Sequence, residues 1–342
     1  METRPLGQSG LHVSVLTFGT LTFGGEGDRA DRVGSVGVTE ARTMIDLCLE
    51  AGVNLFDTAD GYSDGRSEEI LGAALAGRRH DVLVATKVFF RNGALTNDIG
   101  LSRHHIIRSC EASLRRLNTD YIDLYQAHNF DAITPLEETL SAFDALIQSG
   151  KVRYIGCSNY GGWQLMKALA ISDRDRYTRY VSQQVYYSLI GRELEFELVP
   201  LGVDQGVGIL VWGPLAQGFL TGKYRRETGI SGQGRYAFRG EPPIHIPEAQ
   251  AYDIVDALDA IAEERGVSIS QVALNWLLNK RGVTSLVFGA RTLDQLRDNL
   301  NAAAWRLSAD ELTRLDAVSA PPIPYPYWHQ RKYASERNPF SY

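Results

Sequence analysis

Cysteines and long apolar runs are both scarce in this chain of 342 residues. Its three cysteines, Cys48, Cys110 and Cys157, are too few and too scattered to form a disulfide framework, which favours a reducing compartment. No apolar run approaches the roughly 20 residues that cross a bilayer, and the N-terminus has no signal-peptide core. We therefore expect a cytoplasmic protein without a membrane partner.

Positive charge is also in deficit. Lysine and arginine number 35 against 41 acidic residues, and the net charge is −6 at pH 7. Because polyanions bind surfaces rich in lysine and arginine, we expect no nucleic-acid partner. The adjacent His104 and His105 would diverge on a helix, so no metal site is expected. The glycine-rich residues 24–34 do not join a strand to a helix as a G-x-G-x-x-G loop does, which disfavours a Rossmann fold.

Residues 54–72, NLFDTADGYSDGRSEEILG, predict a strand, a loop and a helix in succession. The apolar run 53–56 ends at Asp57, the loop presents Tyr62, and Ser67 opens an amphipathic helix. An acid at a strand end followed by a phenol in the next loop is typical of a (β/α) barrel, whose sites are built on such loops. A lone Asp at a strand end is more often a turn or cap residue, so the ends of the other strands decide.

The alternation of strand and helix continues along the chain. Strands are predicted at residues 15–19, 53–56, 82–86, 121–127, 152–157, 181–184, 208–211 and 283–288. Helices are predicted at residues 39–51, 67–75, 102–117, 135–149, 161–171, 195–205, 247–265, 270–279, 293–301 and 308–319. This pattern predicts an α/β protein, a (β/α)8 TIM barrel with an N-terminal β-hairpin at residues 6–13, extra helices and substrate-covering loops. We expect one domain over residues 1–342, with residues 321–342 as an irregular tail over the active site.

Groups that carry proton chemistry stand at the ends of three successive strands. Asp57, Lys87 and His128 follow the second, third and fourth predicted strands, and Tyr62 lies in the loop after the second. Each alone has an ordinary structural interpretation, such as a turn residue or a snorkelling cation. Together they point to a site, because a phenol with a pKa near ~10 gives up a proton at neutral pH only beside a cation. Lys87 would be that cation, Asp57 would compensate it, and the site would act on an alcohol or carbonyl oxygen.

The chain resembles an aldo-keto reductase in segments spread over nearly its whole length. They are GLHVSVLTFGT, NLFDTADGYSDGRSEEILGAAL, VLVATKV, YIDLYQAHN, GKVRYIGCSNY, QQVYYSL, ILVWGPLAQGFLTGKY and FGARTLDQLRDNL. The resemblance implies an NAD(P)H-dependent oxidoreductase without metal or flavin that reduces aldehydes or ketones to alcohols. It makes Tyr62 the general acid, with Lys87 and Asp57 lowering its pKa. His128 would orient the substrate carbonyl.

The same resemblance assigns the residues that hold the cofactor. It places Ser158, Asn159 and Gln184 at the nicotinamide carboxamide and Trp212 against the nicotinamide ring. Without the four catalytic candidates Asp57, Tyr62, Lys87 and His128, these residues would be interpreted as a turn, a buried polar strand residue and a core aromatic. The remaining cofactor-binding residues implied are Gly19, Thr20, Leu21, Asp57, Gly213, Pro214, Leu215, Gly218, Thr221, Lys223, Gly289, Ala290, Arg291, Thr292, Gln295 and Asn299.

The implied cofactor is NADPH, with NADH as a weaker alternative. Some family members carry a lysine where Gly289 stands and an arginine where Gln295 stands, both directed at the 2′-phosphate. Here Arg291 is the obvious partner that remains, at the N-terminus of a predicted helix. The preference for NADPH therefore depends on Arg291.

The substrate would be bound by the loops 23–36, 89–102 and 224–246 and by the tail. The candidate lining residues are Phe23, Phe89, Phe90, Asn129, Tyr327 and Trp328. They suggest a small-molecule carbonyl or alcohol with an apolar or ring face, although each is nearly as readily ordinary loop packing. The sequence leaves the natural substrate, the physiological direction and the oligomeric state open, an oligomer included.

Two other functions remain open. One is a nucleotide-binding accessory subunit with little turnover, as in the potassium-channel β-subunit branch that this chain resembles. The other is a reductase of keto-sugars, sugar nucleotides or intermediates of specialised metabolism. The four catalytic candidates favour turnover, and a panel of substrates would separate the two kinds of reductase.

Overall fold

A closed parallel barrel forms the centre of the computed structural model, which describes residues 1–27, 34–226, 229, 246–334 and 336–337. The strands are β1 Thr3–Pro5, β2 His12–Ser14, β3 Leu16–Gly19, β4 Leu55–Asp57, β5 Leu83–Val88, β6 Ile122–Ala127, β7 Val152–Ser158, β8 Ser182–Tyr186, β9 Gly208–Trp212 and β10 Val283–Phe288. Strands β3 to β10 pair in chain order, and β10 closes the barrel against β3. The predicted (β/α)8 barrel is confirmed.

Helices surround the barrel. They are α1 Val38–Glu50, α2 Arg66–Ala74, α3 Arg103–Leu117, α4 Leu136–Gln148, α5 Gly162–Asp175, α6 Leu198–Gln205, α7 Glu248–Arg265, α8 Ile269–Leu278, α9 Leu293–Asn301, α10 Ala309–Val318 and α11 Tyr327–Tyr333. Short 3-10 segments lie at Tyr62–Gly65, Arg79–Asp81, Glu193–Glu195 and Ala216–Thr221. The helix predicted at residues 195–205 begins only at Leu198, with Pro200 in its first turn, where the missing N–H costs least.

The N-terminal hairpin and the tail differ from their predicted bounds. The strands of the hairpin are β1 and β2, whereas the predicted residues 6–11 form its turn. The tail predicted as irregular contains α11, which begins directly after Pro326. Proline lacks the N–H that a helix interior requires, so the helix forms only once the proline cluster has ended.

The barrel interior has an apolar lower layer and a polar upper layer. Leu6 and Val13 of the hairpin close the lower end, where they pack on apolar side chains of four strands, Leu55, Ala85, Leu124 and Leu210. Side chains two residues apart on a strand point to the same side. The upper layer therefore holds Asp57, Lys87 and Gln126, at the strand ends where barrel sites are built.

The larger core lies between the barrel and its helices and contains the three cysteines, buried and free. Within the described residues, no helix combines the length and apolar character needed to cross a membrane. In the same part of the chain, no three His, Cys, Asp or Glu side chains come together as a metal site.

Candidate active site

Lys87, in β5, is the buried centre of the upper layer. It is 0% exposed, and Asp57 at the end of β4 is 2% exposed. Its Nζ forms an ion pair with Oδ1 of Asp57 and donates to the carbonyl oxygen of Thr58 at 2.7 Å. Burial opposes the charge of Lys87, but Asp57 and Tyr62 outweigh it and raise the pKa of Lys87 above its usual value. Lys87 is therefore a cation at neutral pH.

Tyr62 reaches Lys87 from the loop after β4. Nζ of Lys87 lies 5.0 Å from the centroid of the Tyr62 ring, and the two side chains are hydrogen-bonded. The loop turns sharply after Tyr62, since Ser63, Asp64 and Gly65 have φ values of 49°, 55° and 91°. The Ser63 hydroxyl donates to the carbonyl oxygen of Phe23 at 2.8 Å. These contacts hold the phenol over the buried cation.

His128 lies directly after β6 and completes the predicted four. Its ring centroid is 5.7 Å from that of Tyr62 and 4.7 Å from that of Phe90. Burial, and then the charge of Lys87, hold the pKa of His128 well below its usual value. The imidazole is therefore neutral at pH 7, with one N–H to donate.

Two glutamine amides also hold Asp57. Nε2 of Gln184 donates to Oδ2 of Asp57 at 2.8 Å, and Nε2 of Gln126 donates to the same oxygen at 3.3 Å. Gln126 was not predicted from the sequence, and Gln184 was expected at the cofactor alone. Gln126 could have been found, because it stands two residues before His128 and thus points into the barrel as Lys87 does.

The residues expected at the nicotinamide form a connected group. Asn159 has a left-handed backbone, with φ 58°. Its amide donates to the carbonyl oxygen of His128 and to the Ser158 hydroxyl, each at 3.0 Å, and accepts from Nε1 of Trp212 at 3.0 Å. The Ser158 hydroxyl donates to the carbonyl oxygen of Gln184 at 2.8 Å. The partly exposed indole of Trp212 is thus linked through Asn159 to the backbone of His128.

The first loop meets the site at Asp57. Thr20 is fully buried, and its hydroxyl donates to the carbonyl oxygen of Asp57 at 3.1 Å. Gly19 ends β3 in a place where a Cβ would approach Val287 to 3.1 Å. Leu21 follows and is partly exposed. The backbone of this loop therefore packs closely on Asp57.

The segment after β9 combines glycines and a cation. Gly213 and Gly218 have φ values of 67° and 98°, which favour glycine. A Cβ at Gly218 would lie 2.8 Å from Nζ of Lys223. Thr221 turns its hydroxyl back to the carbonyl oxygen of Gly218 at 2.8 Å. The other predicted residues of this segment are Pro214 and Leu215, which join β9 to the 3-10 segment.

The loop before α9 is an ordered helix start. Thr292 caps the helix by accepting from the N–H of Gln295 at 3.2 Å. Oε1 of Gln295 accepts from the N–H of Arg291 at 2.9 Å. Asn299 donates to the carbonyl oxygen of Gly289 at 3.5 Å, and Ala290 between them is buried. The predicted residues of this loop are thus close together at a helix N-terminus, the end that favours anions.

Residues 15–320 match the model of the aldo/keto reductase family. The chain belongs to this family. The resemblance found in the sequence is confirmed, and membership of the family supports an oxidoreductase.

Some similar proteins are named as oxidoreductases and others as probable channel subunits. A "Probable voltage-gated potassium channel subunit beta" of Arabidopsis thaliana is 37% identical over 310 residues, covering 88% of this chain and 91% of that protein. An "Uncharacterized oxidoreductase YrpG" of Bacillus subtilis is 36% identical over 329 residues, covering 93% and 96%. The "Versiconal hemiacetal acetate reductase" of Aspergillus parasiticus is 31% identical over 355 residues, covering 95% and 99%.

The phenylalanines expected to line the substrate site of this aldo/keto reductase differ in exposure. Phe90 is 44% exposed beside His128, and Phe89 packs against its edge with ring centroids 5.4 Å apart. The prediction that Phe23 lines the substrate site is wrong, because Phe23 is fully buried in the core, where its ring packs against Phe18. Asn129 turns its side chain to the N–H of Phe130 at 3.0 Å.

Of the two predicted tail residues, Tyr327 lines a groove that reaches Asn159. Tyr327 contributes to a cavity of 730 Å³ that also includes Asn159, Tyr186 and Phe196. Trp328 is 48% exposed and follows Tyr327 on α11. Parts of the predicted substrate loops 23–36 and 224–246 lie outside the described residues, namely residues 28–33, 227–228 and 230–245. Closure of the site by these loops and the tail stays a prediction.

Proposed function

We propose that this aldo/keto reductase is an NADP-dependent carbonyl reductase that converts aldehydes or ketones to alcohols. The observation that carries the proposal is the placement of Lys87, a fully buried cation held between Asp57 and Tyr62. Burying a cation in a barrel is costly unless partners compensate it. A phenol placed against that cation is the arrangement that proton donation to a carbonyl oxygen requires.

Tyr62 is the proposed general acid. The charge of Lys87 favours the phenolate that remains after the proton has moved to the substrate oxygen. Asp57, held by Gln126 and Gln184, keeps Lys87 protonated and in place. His128 is neutral and can direct its N–H at the same carbonyl oxygen, which fixes the orientation of the substrate.

The residues present fit NADPH, with NADH as a weaker alternative. Trp212 offers a partly exposed aromatic face, and Asn159 is oriented beside it by its bond to the indole. Arg291, at the N-terminus of α9, is the proposed partner of the 2′-phosphate. Bound NADPH would supply the hydride that the carbonyl carbon accepts.

The proposed substrate is a small carbonyl compound with a ring or apolar face. Phe90 supports this, because it exposes an aromatic surface 4.7 Å from His128 between ring centroids. Tyr327 and Trp328 would contact the more distant part of the substrate. A cytoplasmic location and the absence of a nucleic-acid partner stay predictions.

The test is oxidation of NADPH, and of NADH beside it, with a reactive aromatic aldehyde. Wild type should turn over, whereas Tyr62→Phe should bind NADPH normally and lose orders of magnitude in kcat, since it lacks only the transferable proton. Tyr121→Phe is the control. It makes the same change at a partly exposed tyrosine directly before β6, at the end of that strand away from His128, and should behave as wild type. Equal activity of Tyr62→Phe and wild type would overturn the role of Tyr62.

A nucleotide-binding accessory subunit is the second candidate. Its support is the similarity to proteins named as probable potassium-channel β-subunits. Tight NADPH binding without turnover across a panel of aldehydes, ketones and keto-sugars would favour it. Turnover restricted to keto-sugars, sugar nucleotides or another narrow group would favour a reductase of specialised metabolism, for which the similarity to a named hemiacetal acetate reductase is the support.

A further inference from the structure

Asp60 is a buried acid between Asp57 and Tyr62 that the proposed reaction does not use. It is 1% exposed. Its Oδ2 accepts from Nδ2 of Asn92 at 3.3 Å, while its Oδ1 has no hydrogen-bond partner among the described residues. A buried carboxylate normally accepts several hydrogen bonds. Asp60 is therefore poorly prepared to carry a negative charge.

The charges around Asp60 make its ionisation still harder. Glu68 of α2 faces it, but the carboxylate of Glu68 already accepts from Thr86 at 2.5 Å and from Nε of Arg116 at 2.7 Å. Arg116 of α3 is thus committed to Glu68. Tyr125 of β6 also faces Asp60, and burial raises the pKa of this tyrosine, which stays neutral. Two carboxyl groups thus lie near one guanidinium in this cluster, and that guanidinium bonds directly to Glu68.

Burial first, and then the charge of Glu68, raise the pKa of Asp60 to about 7. Arg116, the Gly61 N–H and Asn92 oppose this shift without cancelling it. The carboxyl of Asp60 is therefore neutral in mildly acidic solution and ionises near neutral pH.

Asp60 also joins three parts of the site. Its N–H donates to the carbonyl oxygen of Lys87 at 3.2 Å. This bond attaches the loop after β4, which carries Tyr62 and is here called the catalytic loop, to β5. Through Asn92 its carboxyl contacts the loop after β5, the loop that carries Phe90. The same amide of Asn92 donates to the hydroxyl of Ser109 in α3 at 3.0 Å. A change at Asp60 would reach Tyr62 two residues away.

We propose that Asp60 is a positioning residue for Tyr62, whose neutral carboxyl keeps the catalytic loop packed and whose ionisation loosens that loop. This inference rests on the proposed role of Tyr62 as the general acid. An anion at Asp60 has neither a counter-ion of its own nor a full set of donors, so the loop relaxes to hydrate it. Turnover then falls as the pH rises through neutrality.

The experiment compares wild type with Asp60→Asn, which keeps the shape and stays neutral. In wild type kcat should fall at least about threefold between about pH 6 and about pH 8.5, and Asp60→Asn should lack this step. Asp64→Asn is the matched control, since it makes the same chemical change on an exposed residue of the same loop. It should keep the wild-type profile.

Hydrogen exchange supplies a reading that does not need turnover. After correction for intrinsic rates, the amides of residues 57–66 should lose protection in wild type over the same pH range and keep it in Asp60→Asn. Wild type alone tests this if the variant does not fold. Protection that is independent of pH would overturn the role of Asp60.

The two proposals fail in different ways. Turnover that depends on Tyr62 but shows the same pH profile in Asp60→Asn and wild type would overturn only the positioning role. Turnover in Tyr62→Phe equal to that of wild type would overturn both. A uniform loss of kcat in Asp60→Asn at every pH would mark Asp60 as merely structural and also contradict the inference.

Discussion

Nε2 of Gln184 donates a hydrogen bond of 2.8 Å to Oδ2 of Asp57, across 127 positions of the chain. Gln126 donates to the same oxygen at 3.3 Å, so two amides and Lys87 share one carboxylate. The buried ion pair therefore depends on neutral partners as well as on its own charges. This arrangement connects the site expected for the nicotinamide with Asp57, the partner of the buried cation Lys87.

The two glutamines can be separated by substitution. Gln126→Leu should lower kcat about tenfold or more with the Kd of NADPH unchanged, because hydrogen bonds to charged groups contribute ~1.5–3 kcal/mol. Gln184→Leu should lower kcat similarly and also raise the Kd of NADPH if it contacts the nicotinamide. Steady-state rates and fluorescence titration measure the two quantities. An unchanged Kd in Gln184→Leu would confine this residue to supporting Asp57.

Removal of Lys87 should destabilise the fold. Lys87→Met leaves Asp57 as a buried anion without its cation, and breaking such a pair typically costs about 3–5 kcal/mol. Urea unfolding measures this loss, and the double variant Asp57→Asn with Lys87→Met should recover part of it. Lys151→Met removes an exposed partner of Glu111 and should cost no more than ~1 kcal/mol. Equal losses in the two single variants would contradict the importance of burial.

Asp60 should make stability depend on pH. Its pKa rises from the usual 3.8 to about 7 on folding, so between these values the unfolded chain has lost a proton that the folded chain retains. Raising the pH through this window therefore favours unfolding, by up to ~4 kcal/mol in total above pH 7. The stability of Asp60→Asn relative to wild type should grow between about pH 4 and pH 7 and then stay constant. Urea unfolding across this range measures this difference, with Asp64→Asn as control. A difference in stability between Asp60→Asn and wild type that does not change with pH would contradict the prediction.

Arg291 should select between the two nicotinamide cofactors. Arg291→Ala should raise the Kd of NADPH more than that of NADH, because it removes a cation from the proposed 2′-phosphate site. Arg297→Ala, on the exposed side of the same helix and paired with Asp294, is the matched control and should change neither. An equal loss for both cofactors in Arg291→Ala would place the 2′-phosphate elsewhere.

Local pattern was sufficient for the barrel and for the catalytic face. Apolar runs of strand length alternate with amphipathic helices, and the strands of a closed parallel barrel all end on one rim. Asp57, Lys87 and His128 could therefore be brought together from their positions at strand ends, and Tyr62 from its place in the next loop. The period of two along a strand could also have indicated Gln126.

Burial and choice of partner were not readable from local pattern. Phe23 has the residue type and loop position expected of substrate lining, yet it packs into the core against Phe18. Asp60 is one polar residue of a polar loop until Glu68, Arg116 and Asn92 surround it in the fold. Such environments arise from side chains on separate elements, 48 positions apart in the case of Glu68 and Arg116. Strand and helix periods follow from backbone geometry that every segment carries, whereas the partner of a buried polar group depends on which distant segments pack around it.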